Sequence, residues 1–397
     1  METYLLDWAN MLVRWLHLIT GIAWIGASFY FVMLDNSLKP PKKAADAERG
    51  VFGELWAVHG GGFYNSQKFL TGPKGEPLTK DLHWSKWEAY TTWLSGMTLL
   101  AIIYWIGASN YLIDKQVMEL APGTAVAISI AFLASGWIVY DLLCRNLLGR
   151  DGLLAAIVFV FVVACNWLLH QVFSARGAYI HVGAMMGTMM VANVFFHIMP
   201  GQRRMVAQIH AGEEVDPRPG IIGKQRSVHN TYFTLPVLFI MISNHYPMTY
   251  ANKHGWLILT VIMLAGVLIR QFFVLRHRGQ VKWWLPAAGV ALLATLAVLM
   301  APKPVDASGE KIGYAQLHTV LSQRCVACHS AHPTQEGFAQ APKGVMLETP
   351  EEVRQHAAKI AETVASGYMP LANLTHITDD ERALIATWFA QGAKTTD

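Results

Sequence analysis

Charged residues and cysteines are scarce in this chain of 397 residues. Asp, Glu, Lys and Arg make up 15% of the sequence, whereas 53% of it is hydrophobic and 14 residues are Trp. This composition excludes an ordinary soluble domain and favours a polytopic membrane protein, with the lipid bilayer as a partner. Only four cysteines occur. Cys144 and Cys165 stand alone in apolar runs, so we interpret them as packing residues and expect no disulfide.

The glycine patterns that hold nucleotide phosphates are also missing. Neither a Walker sequence nor a dinucleotide fingerprint occurs, so nucleotide chemistry is not expected. The formal net charge is +4, and nucleic acid is not expected as a partner. The sequence favours no particular oligomeric state. No cationic stretch or small-residue cleavage site accompanies the first apolar run, which we therefore expect to be a retained span.

Eight apolar runs approach the length of about 20 residues that crosses a hydrocarbon core of about 30 Å. They predict an all-α fold in which a bundle of eight transmembrane helices precedes a small extracytoplasmic domain. The sixth run is the shortest. The predicted spans cover residues 11–34, 88–110, 123–144, 152–173, 178–200, 230–246, 255–275 and 283–301.

The loops between these runs differ strongly in positive charge. One side carries 18 Lys and Arg residues and the other carries three. The positive-inside rule assigns the first set to the cytoplasm, so both termini are expected outside. The basic set comprises residues 35–87, 145–151, 201–229 and 276–282, and the opposite set comprises 111–122, 174–177 and 247–254.

Residues 325–329 read Cys-Val-Ala-Cys-His, the attachment signature of a c-type haem. Cys325 and Cys328 are expected to form the two thioether bonds, and His329 is expected to ligate the iron. Met369 lies about 40 residues later and is the expected second ligand, because a His/Met pair is common in electron-transfer haems. Attachment of haem to this motif takes place outside the cytoplasm, in agreement with the loop charges.

The region around this motif predicts a separate helical domain. Residues 302–311 form an expected Pro/Gly linker between a membrane domain, 1–301, and a cytochrome c domain, 312–397. A helix is predicted at about 312–324. Capping boxes predict two further helix starts, one at Thr349 with Glu352 and the other at Thr378 with Glu381.

Several histidines lie within the predicted spans, where ionisable side chains are costly and suggest function. Neutral imidazole is a common haem ligand, so we expect non-covalent haem b among the spans. His17 and His181 are the favoured iron ligands, because both are expected near the outer surface. A structural alternative is that these histidines form hydrogen bonds between helices or serve a proton pathway.

The basic loops combine cationic, amide and aromatic side chains, as a site for a planar anion requires. Three consecutive glycines at 60–62 allow close approach of a ligand or backbone. The alternative is that the aromatic residues anchor the loops at the interface and that the cations only set topology. The candidate residues are His59, Phe63, Tyr64, Gln67, Lys68, Trp84 and Trp87 in the first loop, and Arg203, Lys224, Arg226, His229 and Asn230 in the third.

Together these segments resemble one family, the bacterial membrane-bound urate oxidases (urate dehydrogenases) with a C-terminal cytochrome c. The resemblance covers essentially the whole chain, including the order of its domains. The stretches that carry it are 14–17, 24–26, 56–64, 87–96, 179–184, 200–203, 224–230 and 243–247.

The resemblance implies oxidation of urate to 5-hydroxyisourate, with electrons passing to cytochrome c instead of directly to oxygen. It implies a bacterial inner membrane, a periplasmic cytochrome domain, and a soluble cytochrome c or terminal oxidase downstream. Within the candidate set, the cations and amides suit the urate anion and the aromatic side chains suit its ring. His59 or His229 is the expected base.

Two other functions fit parts of the pattern. A respiratory dehydrogenase of the same architecture would oxidise another donor, such as a quinol, in a lipid-facing cleft. A transporter with an electron-carrier domain would move substrate without reducing haem, but the interrupted spans and inverted repeats of many transporters are not evident in the sequence.

Overall fold

The computed structural model describes residues 2–301, 305 and 307–396. Positions 302–304 and 306 of the predicted linker, like residues 1 and 397, lie outside the described residues. The structure is mostly helical, with 67% helix and 5% strand. This agrees with the predicted helical class but adds a small sheet that the sequence analysis did not predict.

The bundle is built from long helices that run back and forth. Two of them continue through π-helical turns: α3 through Ala101–Ile106 and Ala108–Leu112, and α6 through Asn193–Ile198 into α7. The helices are α1 (Glu2–Ser37), the short α2 (Ala44–Glu48), α3 (Trp87–Leu100), α4 (Pro122–Asn146), α5 (Asp151–His170), α6 (Ala175–Ala192), α7 (Met199–Ala211), α8 (Arg218–Ser243), the short α9 (Pro247–Tyr250), α10 (Gly255–His277) and α11 (Trp284–Leu299).

Within the described chain, six helical segments are long and apolar enough to cross a membrane. The remaining two predicted spans are also helical. The span at 230–246 falls in α8, whose first half carries Lys224 and Arg226, and the span at 283–301 falls in α11, which has 16 residues. The six segments are Tyr4–Ser37, Trp87–Ile106, Pro122–Asn146, Asp151–His170, Ala175–Ala211 and Gly255–His277.

Helix α6 is the centre of the bundle, with Tyr179, Met185 and Met189 fully buried. It packs against α4, α5 and α8. The contact with α8 requires a glycine, because a Cβ on Gly183 would lie 2.6 Å from Cγ2 of Ile240. Helix α8, which carries Lys224, Arg226, His229 and Asn230, is thus held close to α6.

The first basic loop contains an antiparallel hairpin of β1 (Val51–His59) and β2 (Gly62–Phe69). Its two-residue turn is Gly60-Gly61, and both residues have positive φ, +59° and +82°. A turn of this kind matches the right-handed twist of the strands and favours glycine. The sequence predicted close approach of a ligand or backbone at these glycines, whereas in the structure two of them reverse the chain.

The C-terminal unit, residues 312–396, consists of α12 (Tyr314–Arg324), α13 (Pro350–Ala365) and α14 (Asp379–Ala390) around an apolar cluster of its own. Both predicted capping boxes are confirmed. The Thr349 side chain accepts from the backbone N–H of Glu352, and that of Thr378 accepts from Glu381.

The two ends of the bundle are named by the charge of their loops. The basic end carries the loops at 35–87, 145–151, 201–229 and 276–282, and the other end is the opposite end. The C-terminal unit contacts the opposite end. Asn373 Nδ2 donates to Gln116 Oε1 at 2.9 Å. A Cβ on Gly367 would lie 2.5 Å from Cβ of Ala251, so the two surfaces are in close contact there.

Candidate functional site

A cavity of about 780 Å³ opens between α1, α5, α8 and α10. We call it the large cavity. Gly149, Asp151 and Arg278 lie around it at the basic end, and Met186 and Pro236 line its deeper part within the bundle. Much of its wall is aliphatic or aromatic, as is usual for a site that takes a small organic molecule.

Two consecutive turns of α8 bring polar groups to this cavity. Lys224 and His229 were candidates from sequence, and Gln225 lies beside them. Lys224 has no ion-pair or hydrogen-bond partner among the described residues. Gln225 Nε2 donates to Asp151 Oδ1 at 3.2 Å, and its Oε1 is buried without a partner in the described structure. A free cation therefore borders the cavity, and an unpartnered acceptor lies buried beside it.

Arg226 and Asn230 do not line the large cavity but lie in a buried polar network behind it. Arg226 is 1% exposed, and its Nη2 lies 2.7 Å from Asp141 Oδ1. The same carboxylate receives His197 Nε2 at 2.6 Å and Arg145 Nε at 2.7 Å. Asp141 thus balances the buried guanidinium, which would be costly to bury alone.

The hydrogen bonds from Arg226 as far as Tyr140 have a fixed direction. A guanidinium only donates, so Arg226 Nη1 donates to Asn193 Oδ1 at 3.1 Å. The Asn193 amide N–H groups then donate to Tyr140 Oη at 2.9 Å and to Asn230 Oδ1 at 2.8 Å. The Tyr140 hydroxyl keeps its own hydrogen and can donate it to Nδ1 of His229, 2.9 Å away.

This direction determines what His229 presents to the cavity. With Nδ1 accepting from Tyr140, the neutral imidazole carries its hydrogen on Nε2. Nε2 has no hydrogen-bond partner among the described residues, and the residue lines the large cavity. His229 is therefore arranged as a hydrogen-bond donor. Asp151 is the carboxylate that borders the same cavity.

The candidates of the first loop are not brought to this cavity. His59, Phe63 and Tyr64 lie at the exposed tip of the hairpin, and Phe63 is 78% exposed. Lys68 is held by Asp35, with Nζ 2.6 Å from Oδ1. Gln67 pairs with Glu54 across the hairpin. In the described structure none of these side chains contacts the residues of α8.

The remaining loop candidates also lie elsewhere. Trp84 packs on the apolar cluster of Ala89, Val194 and Met199. Trp87 is 66% exposed, with Lys86 Nζ 5.7 Å from its ring centroid. Arg203 is exposed on α7. Their roles at a substrate remain predictions, and the polar site is made without them.

In the C-terminal unit, the haem c candidates lie against one apolar cluster. Cys325 and Met369 both pack on it. His329 Nδ1 lies 2.9 Å from the Val345 carbonyl, so Nδ1 carries the hydrogen and Nε2 is left with its lone pair. Ligating histidines usually have this arrangement. Two thiols, one imidazole nitrogen and one thioether are thus the donor set that a c-type haem needs.

Neighbouring groups hold this part of the C-terminal unit. Arg382 Nη1 donates to the carbonyls of Val364 at 2.7 Å and Met369 at 2.9 Å, which fixes the loop that carries the thioether. Burial raises the pKa of the Cys325 thiol to about 12. Burial also opposes ionisation of Glu381, but hydrogen bonds from Arg324 and Thr378 outweigh it and keep the pKa of Glu381 below its ordinary value.

His17 and His181 are not brought together. His17 contacts α3 at Thr92. Trp93 Nε1 donates to Thr188 on α6 at 3.1 Å, so His181 lies about seven residues, or ~10 Å, further towards the opposite end. The two imidazoles differ in depth and in surroundings. The predicted pairing of these two histidines on one haem therefore has no support in the geometry.

The model of one protein family, described as urate oxidase N-terminal, matches residues 3–301. The chain belongs to this family. It is thus a relative of urate oxidase, and the match covers the whole helix bundle and ends before the C-terminal unit. No curated protein and no solved structure matches the chain.

Sequence reasoning missed several residues of the polar site in this urate oxidase relative. Asp141 is the only charged residue in the predicted span 123–144, and that isolation was a usable signal. Gln225 lay between two candidates and was not chosen. Tyr140 and Asn193 gave no signal, because an uncharged polar side chain in an apolar run has many structural uses.

Proposed function

We propose that this urate oxidase relative is a membrane-bound enzyme that oxidises urate to 5-hydroxyisourate and passes the electrons to a haem c in its C-terminal unit. The observation that carries the proposal is the large cavity, where a family member presents a free cation and an imidazole together. The apolar runs support an eight-span topology, and the loop charges support a cytoplasmic location for the basic end.

The groups around the large cavity complement urate, which is a planar monoanion near neutral pH. Lys224 provides the positive charge, and the Nε2–H of His229 donates to a ring oxygen or nitrogen. Phe159 and Phe233 supply flat apolar surface. This arrangement of polar groups fits a purine anion better than a long-chain electron donor such as a quinol, because a quinol needs no cation to bind.

The reaction removes two electrons and two protons from urate and water, and the water oxygen becomes bonded to C5. Asp151 is placed at the cavity to take up a proton, while Lys224 and His229 hold the anion. We therefore assign the base to Asp151 instead of to His59 or His229.

At the opposite end, Cys325 and Cys328 would hold haem c covalently, with His329 and Met369 as iron ligands. When bound, haem c accepts electrons one at a time. Arg382 keeps the Met369 loop in position, and the C-terminal unit lies in the periplasm, where a soluble cytochrome c or a terminal oxidase would receive the electrons.

The proposal is tested by adding urate to the purified, full-length oxidised protein without oxygen. We expect the c-haem absorption to change to the reduced form, and 5-hydroxyisourate to form with two electrons transferred per urate. The Lys224→Ala variant should need much more urate. Reduction by a short-chain quinol but not by urate would instead support the alternative of a respiratory dehydrogenase with a quinol donor.

A further inference from the structure

A second cavity, of about 420 Å³, lies between α1, α3, α6 and α8. We call it the small cavity. His17 and Trp24 line it from α1, and Trp93 and Gly96 line it from α3. It borders α8 from Thr234 to Asn244, which are about ten residues or ~15 Å apart along the helix. The cavity therefore reaches from the middle of the bundle towards the C-terminal unit.

The imidazole of His17 has a fixed tautomer. Its Nδ1 lies 2.9 Å from the carbonyl oxygen of Thr92, which only accepts, so Nδ1 carries the hydrogen. Nε2 is then unprotonated, and it has no hydrogen-bond partner in the described part of the chain. An imidazole lone pair in a largely apolar cavity suits a metal centre, and backbone-bonded Nδ1–H is the arrangement usual for ligating histidines.

His181 has the same Nδ1 arrangement but no free lone pair. Its Nδ1 lies 2.8 Å from the Gly177 carbonyl. Its Nε2 lies 2.7 Å from Ser129 Oγ, which already accepts from Trp105 Nε1 and so donates to the imidazole. The side chain is fully buried. His181 is thus a satisfied core histidine, whereas His17 is left with a free ligand atom.

The other groups around the small cavity suit a macrocycle. The glycines Gly21, Gly96 and Gly187 leave flat wall, and Trp24 and Trp93 can face a planar ring. Met97, Met190 and Met241 line the same space and offer thioether sulfur as a second ligand. Arg14 and His245 also border the cavity and can pair with carboxylates.

Its position is also that of an electron relay. Thr231 and Phe233 border the large cavity and Thr234 borders the small one, so both cavities meet the same turn of α8. At the end of the small cavity that lies towards the C-terminal unit, Asn244 Oδ1 accepts a hydrogen bond from Arg176 Nε at 2.9 Å. Arg176 lies within electrostatic range of Tyr368, the neighbour of Met369.

We propose that the small cavity binds a non-covalent haem through Nε2 of His17, and that this haem relays electrons from the large cavity to the C-terminal unit. The direction of flow rests on the proposed function, but the binding of haem does not. Such a haem would supply one-electron transfer, so two successive transfers to haem c would account for the two electrons of each urate.

The test is the haem content of the purified full-length protein, by the pyridine haemochrome method and by dithionite-reduced spectra, with no urate present. We expect one b-type haem beside one c-type haem per chain. His17→Gln should lose at least about 80% of the b-type haem and keep the c-type haem. The matched control, His170→Gln, changes another histidine whose Nδ1 bonds a backbone carbonyl, and should keep both.

Gly96→Ala provides a second variant for the case in which His17→Gln fails to fold. The added Cβ would lie 2.9 Å from Cε1 of His17, so the imidazole must shift. We expect an altered b-haem spectrum or midpoint potential with the c-haem spectrum unchanged. A single c haem per chain, or a b-type haem unaffected by both variants, would overturn the proposal. If both haems are present but urate reduces neither, the proposal that His17 binds a haem holds and urate is not the substrate.

Discussion

The large cavity and the hairpin of the first basic loop have similar chemistry in sequence but opposite environments in the structure. Both offer histidine, lysine and amide side chains. At the cavity, the buried Gln225 and the half-buried His229 are held by Asp151 and Tyr140, while Lys224 has no partner among the described residues. At the hairpin tip, Phe63 is 78% exposed, and the lysine of the second strand is used by Asp35.

The difference shows that a site depends on which groups are held and which are left free. Behind the cavity, the network from Asp141 to His229 fixes the orientation of each donor, so little ordering remains to be done on binding. At the tip, aromatic side chains face solvent without a second wall. A planar ligand there would be covered on one side at most, and the predictions below test this contrast.

The largest effect is expected for Asp141→Asn. This change leaves the buried Arg226 guanidinium without its carboxylate, which costs about 3–5 kcal/mol of stability. The matched change at the hairpin, Asp35→Asn, breaks a half-exposed pair with Lys68 and should cost less than about 1 kcal/mol. Thermal unfolding in detergent measures both, and equal shifts in midpoint would contradict the contrast.

Lys224→Ala should affect urate binding next most strongly. Loss of one charge-assisted hydrogen bond costs about 1.5–3 kcal/mol, which corresponds to a rise in KM of about 10- to 100-fold. The matched variant at the hairpin, Lys68→Ala, should change KM less than about twofold, because its ammonium group is already paired. Steady-state urate kinetics distinguish the two, and the reverse order would move the site to the hairpin.

Tyr140→Phe should have a smaller but combined effect. It removes the hydroxyl that accepts from Asn193 and donates to His229, at a cost of about 1–3 kcal/mol of stability. Urate should also bind several-fold more weakly, since His229 loses its fixed tautomer. Tyr179→Phe is the control: it removes another buried hydroxyl, bonded to the carbonyls of Thr249 and Gly255, and should leave urate affinity unchanged.

The smallest effects are expected at the hairpin tip. His59→Ala, Phe63→Ala and Tyr64→Ala remove exposed side chains, so each should change the unfolding free energy by less than about 0.5 kcal/mol. Urate turnover should change less than about twofold. A tenfold loss in any of them, measured at saturating and at low urate, would show that the tip closes on substrate during the reaction.

Much of the fold followed from the sequence because its causes are local. Apolar runs of sufficient length predicted helices, and the Thr349 and Thr378 capping boxes predicted two helix starts that the structure confirms. The hairpin was missed, since glycines at 60–62 satisfy a turn and a ligand approach equally well. The position of His17 along the bundle also differs from the prediction. The length of an apolar run does not say how α1 is aligned with α3.

The sequence by itself determined the helical class, the relation to urate oxidase over residues 3–301 and the motif at 325–329, since length, apolarity and spacing are one-dimensional properties. Only the tertiary structure decided which polar groups are free. Nε2 of His17 and Nε2 of His229 remain available because their Nδ1 atoms are engaged by residues distant in the chain. Hydrogen bonds are short and directional, so their partners depend on helix packing, which the local sequence does not specify.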